Sequence, residues 1–299
     1  MPPDVRRKAI PAAAAAPLRA EAASIGARRH RRVVTFLVYT LLTLYLAFVL
    51  FPLAWLLLSS FKTRHDALAL PPRIFFTPTW EAWEKVFTAG ILQPFGNSLF
   101  VAATNIVVAL VLAVPAAYAL ARLRGSLKDN LSFWVLSTRM APAFGVVVPV
   151  YMLMRLLGLL DTRLAVTLAH LAFNLPFAIW LLMRYFEDVP VELEEAAMVD
   201  GATRWGALRH AVLPPSLPMV VAVAILIFVF SWNEFILAFI LTSFEARTVP
   251  ALVASLAGTM SFDWPLICAV SAGAMAPAFV LVFIVQRHIT RGLTLGALQ

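Results

Sequence analysis

A few polar side chains stand in otherwise apolar stretches of this 299-residue chain: Glu234 beside Asn233, Arg139, and Asn174 just before Pro176. An ionisable group in such a setting is costly and marks a pairing, binding or conducting role. Asn174, Asn233 and Glu234 could offer hydrogen bonds to hydroxyl groups along a translocation path, and Glu234 alone could relay a proton or ion. Equally, these groups could bond one helix to another, with Arg139 paired to Glu234. Other chemistries find no support. No paired carboxylates, His-Glu-x-x-His run or Gly-x-Ser-x-Gly run falls in the apolar stretches, so an intramembrane hydrolase has no catalytic set. His30, His65, His170, His210 and His288 are scattered without metal-ligand spacing. Cys268, the single cysteine, sits in an apolar run and reads as a small buried hydrophobe. None of the lysines follows a glycine, so the chain has no Walker A phosphate loop and should bind no ATP.

One segment is polar by design. It runs Glu187-Asp188-Val189-Pro190-Val191-Glu192-Leu193-Glu194-Glu195-Ala196-Ala197-Met198-Val199-Asp200-Gly201. Asp188 can cap a helix, Pro190 suits its first turn, and the glutamates lie where the helix dipole favours negative charge. Gly201 suits the left-handed position that ends a helix. Thr203 opens a second short helix, expected to run to about Leu213 before Pro214 and Pro215 stop it. Val189, Leu193, Ala196 and Ala197 share one face of the first helix, bordered by Glu192 and Glu195, and Trp205, Leu208 and Val212 form a stripe on the second. The result is a bent knuckle whose small alanines let a partner approach. An amphipathic pair lying on the membrane is the competing reading. The acidic residues between 192 and 200 oppose it, because the inner leaflet is anionic.

These residues must be positioned by membrane helices. The chain is 62% hydrophobic and 13% charged, whereas a soluble domain is about 45–50% apolar and about 25% charged. A span needs roughly 20 mostly apolar residues. Six stretches qualify, near 33–58, 97–121, 131–157, 164–184, 218–243 and 264–286, giving an all-α, polytopic membrane protein with six transmembrane helices. The first is too long for a signal-peptide core of about 7–15 residues and is expected to be retained. Residues 1–32 read as a disordered basic tail, 33–286 as the transmembrane domain with its polar loop at 185–217, and 287–299 as a second tail. Of 24 lysines and arginines, 16 fall on the side of the termini, which places both ends in the cytoplasm. The net charge of +8 therefore sets orientation and does not imply nucleic acid. Trp55, Trp80, Trp134, Trp180, Trp232 and Trp264 lie near span ends, where the interface favours them. Pro52, Pro115, Pro142, Pro149, Pro176 and Pro277 should kink or break their helices.

Glu195-Ala196-Ala197, Gly201 after three residues, and Leu213-Pro214 resemble the EAA motif of binding-protein-dependent ABC permeases, with Ala211 where the motif has an aliphatic residue. Asn97-Ser98, Trp232-Asn233-Glu234-Phe235, Gln286-Arg287 and Gly292-Leu293-Thr294-x-Gly296-Ala297 extend the resemblance to MalG-type carbohydrate permeases over nearly the whole chain after residue 32. The resemblance implies the type I ABC importer permease fold in a bacterial inner membrane. It implies that Glu195, Ala196, Ala197, Asp200, Gly201, Leu213 and Pro214 dock a separate ATPase, and that Gly292, Thr294 and Gly296 make C-terminal contacts. It implies as partners a second homologous permease subunit, two ATPase subunits using ATP and magnesium, an extracytoplasmic solute-binding protein, and a sugar-like solute. Sugar contacts would then lie partly in the other permease, which favours interhelical bonding for Asn174, Asn233 and Glu234. A secondary transporter using Glu234 as an ion relay is the alternative, and it leaves the acidic knuckle unexplained.

Overall fold

A computed structural model of the chain describes residues 12–258 and 262–296, and the described residues are helical throughout, with no strand. Helix α1, Ala12–Ser59, is exposed along residues 34–52, an apolar surface that is stable only against lipid or another apolar chain. The segment 12–32 continues α1 instead of forming a disordered tail. Alanine has the highest helix propensity, and the apolar run behind it removes the cost of nucleation. Residues 1–11 lie outside the described residues.

The rest of the chain is described separately. A short helix α2 (Arg64–Ala67) and helix α3 (Glu81–Thr88) precede the second span α4 (Leu92–Arg122). Helices α5 (Ser126–Arg139) and α6 (Ala143–Leu156) follow, then the fourth span α7 (Arg163–Asp188). The polar loop forms α8 (Glu192–Val199) and α9 (Arg204–Ala207), and a π turn at Leu208–Val212 leads into α10 (Leu213–Asn233). Short helices α11 (Ile236–Leu241) and α12 (Val249–Ala257) precede the last span, α13 (Trp264–Gly296). Among the described residues five helices are long and apolar enough to cross a membrane, and α5 with α6 makes a sixth if the pair is one span.

Three expected elements differ in detail. The third span is not one rod, because α5 and α6 meet at 87°. Pro142 supplies no N–H and biases Ala141 away from helical backbone. The fifth span ends at Asn233, so Glu234 and Phe235 separate it from α11. Pro214 and Pro215 do not stop the preceding helix. The π turn widens the helix immediately ahead of these prolines, which take the first positions of α10, and the chain runs on. Arg204–Asn233 is thus a single 30-residue membrane helix.

Small residues set the packing. Ala109, Ala113, Ala117 and Ala121 recur every four residues on α4 and are buried against Ala178, Leu182 and Phe186 of α7 and Val223 and Ile227 of α10. Without side-chain bulk in the way, the helix backbones approach closely, which is what drives helix association where lipid is as apolar as leucine. Leu208 and Val212 join the same cluster, as the stripe on the second loop helix requires, but Trp205 is exposed. Trp232 is also not an interfacial ring. It is buried, and its indole N–H donates to Ala274 O at 3.1 Å.

Candidate functional site

The end of the bundle that carries the polar loop is organised around Arg122, the last residue of α4. Its Nε donates to Glu194 Oε1 at 2.7 Å, its Nη1 to Phe186 O at 2.8 Å, and its Nη2 to Val189 O at 3.3 Å and again to Glu194. Tyr118 Oη donates to the other carboxylate oxygen at 2.8 Å. One guanidinium therefore joins the end of α4, the end of α7 and helix α8. Nearby, Lys128 at the start of α5 meets Glu187 at 2.9 Å, which fastens α5 to the end of α7.

Glu194 is buried by this arrangement at 4% exposure, while the neighbouring Glu195, Ala196, Met198, Val199 and Asp200 are exposed and Ala197 is half-buried. Helix α8 thus has an anchored side and an open side. Leu193 belongs to the open side and Val189 to the buried one, so the apolar stripe read from the sequence is split between them. Asp188 ends α7 and does not cap α8, which starts after Val191 with no side-chain cap. Gly201 has φ +90, the left-handed position expected of it, and open space surrounds the place where a Cβ would sit. Thr203 Oγ1 accepts from Gly206 N at 3.2 Å and starts α9. Leu213 and Pro214 open α10. Gly292, Thr294 and Gly296 continue the backbone of α13.

At membrane depth the polar residues take different parts. Glu234 turns back over α11: Oε1 accepts from Leu237 N at 2.9 Å, Oε2 from Ala238 N at 3.0 Å, and His170 Nε2 lies 3.1 Å from Oε2. Asn174 is buried and donates to Asn105 Oδ1 at 3.3 Å and Ser231 Oγ at 2.9 Å, and Asn105 donates to Thr167 O at 3.1 Å. This chain of amides bonds α4, α7 and α10 to one another. Asn233 is exposed and folds back on Val229 O at 2.8 Å. The expected Arg139–Glu234 pair does not form. Arg139 Nη1 instead donates to Phe173 O at 2.8 Å, and its guanidinium lies 4.9 Å from the Phe177 ring and 4.5 Å from the Phe230 ring. Phe173 lies three residues before Pro176 in α7, so the arginine bonds a carbonyl in the turn that precedes the proline.

On the opposite side, Asp161 holds the loop before α12. Its φ is +56, and its carboxylate accepts from the backbone N–H of Ser243, Phe244, Glu245 and Ala246 at 2.9–3.1 Å. Burial disfavours its charge, yet the four N–H groups outweigh that and hold the carboxyl below the usual carboxylate range. Asn97 donates to Glu245 O at 2.8 Å and Arg247 O at 2.9 Å while accepting from Arg163 Nε at 2.7 Å, and Ser98 Oγ accepts from Val249 N at 2.9 Å. Asn97-Ser98 therefore ties α4 to this loop.

Arg122, Glu194, His170 and Asp161 have structural parts that the sequence reading does not assign. Arg122 closing an apolar run and Asp161 in a short loop after Gly158 were the available signals. Among the described residues no cluster of three or more His, Cys, Asp or Glu side chains gathers.

The sequence profile described as "Binding-protein-dependent transport system inner membrane component" matches residues 109–295. The chain belongs to this family. A trehalose transport system permease protein, SugB of Mycobacterium tuberculosis, is 35% identical over 265 residues, covering 86% of this chain and 95% of that protein. The trehalose/maltose permease protein MalG of Thermococcus litoralis is 31% identical over 255 residues, covering 84% and 91%. The sulfoquinovosyl glycerol permease protein SmoH of Agrobacterium fabrum is 35% identical over 254 residues, covering 84% and 89%. In fold, the chain matches the crystal structure of a bacterial ABC transporter that imports alginate, with TM-score 0.72 and 23% identity over 87% of this chain and 97% of that one. The chain is a permease component of an ABC importer in the inner membrane, with ATP hydrolysis left to a separate ATPase and solute delivery to a binding protein. The ion-relay reading finds no support among these relatives, and Glu234 is already committed to His170 and to α11.

Proposed function

We propose that this chain moves a sugar or sugar-like solute (a polyol, glycoside or oligosaccharide) into the cytoplasm, and that its polar loop couples the movement to ATP hydrolysis. The complex would hold this chain, a second homologous permease, two ATPase subunits and an extracytoplasmic solute-binding protein, with both termini of this chain cytoplasmic. The chain itself binds no cofactor. ATP and magnesium belong to the ATPase.

One observation carries the coupling reading. Helix α8 presents Glu195, Ala196, Met198 and Val199 outward, while the adjacent Glu194 is buried on Arg122 and Tyr118. A partner can grip the open side and pull on α4 through the anchored one. Asp200 and Gly201 set the angle to α9, and Leu213 and Pro214 pass the movement into α10. Gly292, Thr294 and Gly296 would add contacts to the same partner. Asn174 and Glu234 border a path for solute, and Asn233 lies at its edge.

The test is Glu195→Lys, which reverses a charge on the open side. Protein level in the membrane should match wild type, while sugar uptake falls at least ten-fold and the co-purifying ATPase decreases. A loop that merely lies on the membrane would gain attraction to anionic lipid and keep full uptake. Wild-type uptake in this variant removes the coupling role.

A further inference from the structure

The cavity at membrane depth has a volume of about 290 Å³ and is lined by Arg139, His170, Phe173, Asn174, Phe230 and Glu234 among others. That lies at the lower edge of the roughly 300–1,000 Å³ typical of ligand pockets, so it suits one ring or one short polyol. Its polar groups are unequally spent. A guanidinium has five N–H donors, and among the described residues Arg139 gives one hydrogen bond, to Phe173 O, and pairs with no carboxylate. Its position is fixed by the Phe177 and Phe230 rings, which leaves its remaining N–H groups for something in the cavity. Asn174 spends its amide nitrogen on Asn105 and Ser231 and keeps its carbonyl oxygen as an acceptor. Phe230 and Phe173 add apolar surface of the kind that packs on the C–H face of a sugar ring.

The charges in the lining select further. Glu234 carries one negative charge and Arg139 one positive. His170 Nε2 serves Glu234, and its Nδ1 is buried with no partner. The lining therefore offers donors and an acceptor, with Arg139 and Glu234 as fixed charges of opposite sign. An acidic ligand that pairs with Arg139 must also face Glu234, and an amine that pairs with Glu234 must also face Arg139, in a medium where like charges repel strongly. A neutral polyhydroxy ligand avoids both, because each hydroxyl can accept from Arg139 and donate to Asn174.

We infer that this cavity is a subsite, within this subunit, for one neutral hydroxyl-rich unit of the solute, and that Arg139 is its main hydrogen-bond donor. The inference rests on the reading of the chain as a sugar-conducting permease.

The experiment uses the full-length chain purified with its second permease and ATPase but without the binding protein. Isothermal titration at pH 7 compares three neutral probes (methyl α-D-glucoside, trehalose and sorbitol) with methyl β-D-glucuronide and glucosamine. At least one neutral probe should bind, and at least ten-fold more tightly than either charged one. Arg139→Gln should weaken the neutral probe at least ten-fold, which locates the site in this chain. Since Arg139 also holds the Phe173 carbonyl, Phe230→Leu serves as a second variant that keeps apolar volume and loses the ring face, and it should weaken binding several-fold. The inference is overturned if no neutral probe binds, if a charged probe binds as tightly, or if both variants keep wild-type affinity. None of those results bears on uptake by Glu195→Lys, so the two readings fail separately.

Discussion

Glu194 and Arg122 lie 72 residues apart in sequence and are joined twice, through Arg122 Nε at 2.7 Å and again through Nη2. Both side chains are largely shielded, at 5% and 17% exposure. Removing one member of such a pair leaves the other charge buried and costs about 3–5 kcal/mol, whereas replacing both by apolar residues of similar size is close to neutral. Glu194→Ala should therefore destabilise the protein strongly and uncouple ATPase activity from uptake. Glu194→Leu combined with Arg122→Met should recover much of the stability but not the coupling. Thermal unfolding in detergent, alongside uptake, separates the two effects. Equal stability of wild type and Glu194→Ala would show that the pair holds nothing.

Gly201 adopts φ +90 with no atom near the position of a Cβ. Gly201→Ala should cost about 1 kcal/mol through backbone conformation alone, a small change in unfolding temperature. The open space around the Cβ position leaves room for a side chain there, so we assign any further loss in Gly201→Asp to the partner. We expect Gly201→Asp to fold with nearly the stability of Gly201→Ala and to lose the ATPase on purification. A Gly201→Asp protein that retains ATPase and uptake would free this turn from any role in docking.

The Asp161 carboxyl titrates below the ordinary range because four backbone N–H groups favour its charged form over the opposition of burial. With the folded pKa below the unfolded value of about 3.9, its stabilising effect is complete above that value and is lost as pH falls through the folded pKa. Asp161→Asn should lower stability by about 1–2 kcal/mol at neutral pH. Asparagine tolerates the left-handed backbone, so the variant adds no backbone strain and removes the charge together with one of the two acceptor oxygens. Below about pH 4 the wild-type advantage should shrink. A wild-type advantage that stays constant from pH 7 to pH 3.5 would contradict this account.

Orientation is open to labelling. With Cys268 replaced by alanine, a cysteine at Phe244, exposed on the loop that Asp161 holds, should react with an impermeant maleimide added to intact spheroplasts. A cysteine at Val199 should react only after lysis. The reverse pattern would invert the proposed topology.

Most of the spans and the bent polar loop were legible in the sequence because both depend on near neighbours. Apolar runs of about 20 residues declare a span wherever they occur, and a glycine after an acidic helical turn declares its own left-handed backbone. Breaks at Met140–Pro142 and at Glu234 were less legible, since a proline in an apolar run permits a kink, a bend or no visible change, depending on what packs against it. Arg122 was counted only as a positive charge near the membrane. Its partner 72 residues later is set by how α4 and α7 pack, and no local pattern reports that. Glu234 stood out as a buried carboxylate, but its partner His170 did not, because a lone histidine in an apolar helix carries no pairing signal of its own.

Because the π turn carries the chain through Pro214 and Pro215 without a stop, residues 204–233 form one continuous helical stretch of about 45 Å at 1.5 Å per residue. Its lower end begins at the turn that follows Gly201, and its upper end carries Phe230 and leads directly to Glu234. A partner that tilts the lower end would displace the wall of the cavity in the same stroke, so far as the π turn and Pro214, Pro215 and Pro218 do not bend. Solute release and nucleotide state would then be synchronised by the rigidity of one helix, and a flexible glycine inserted near Val220 should desynchronise them while leaving both ends intact.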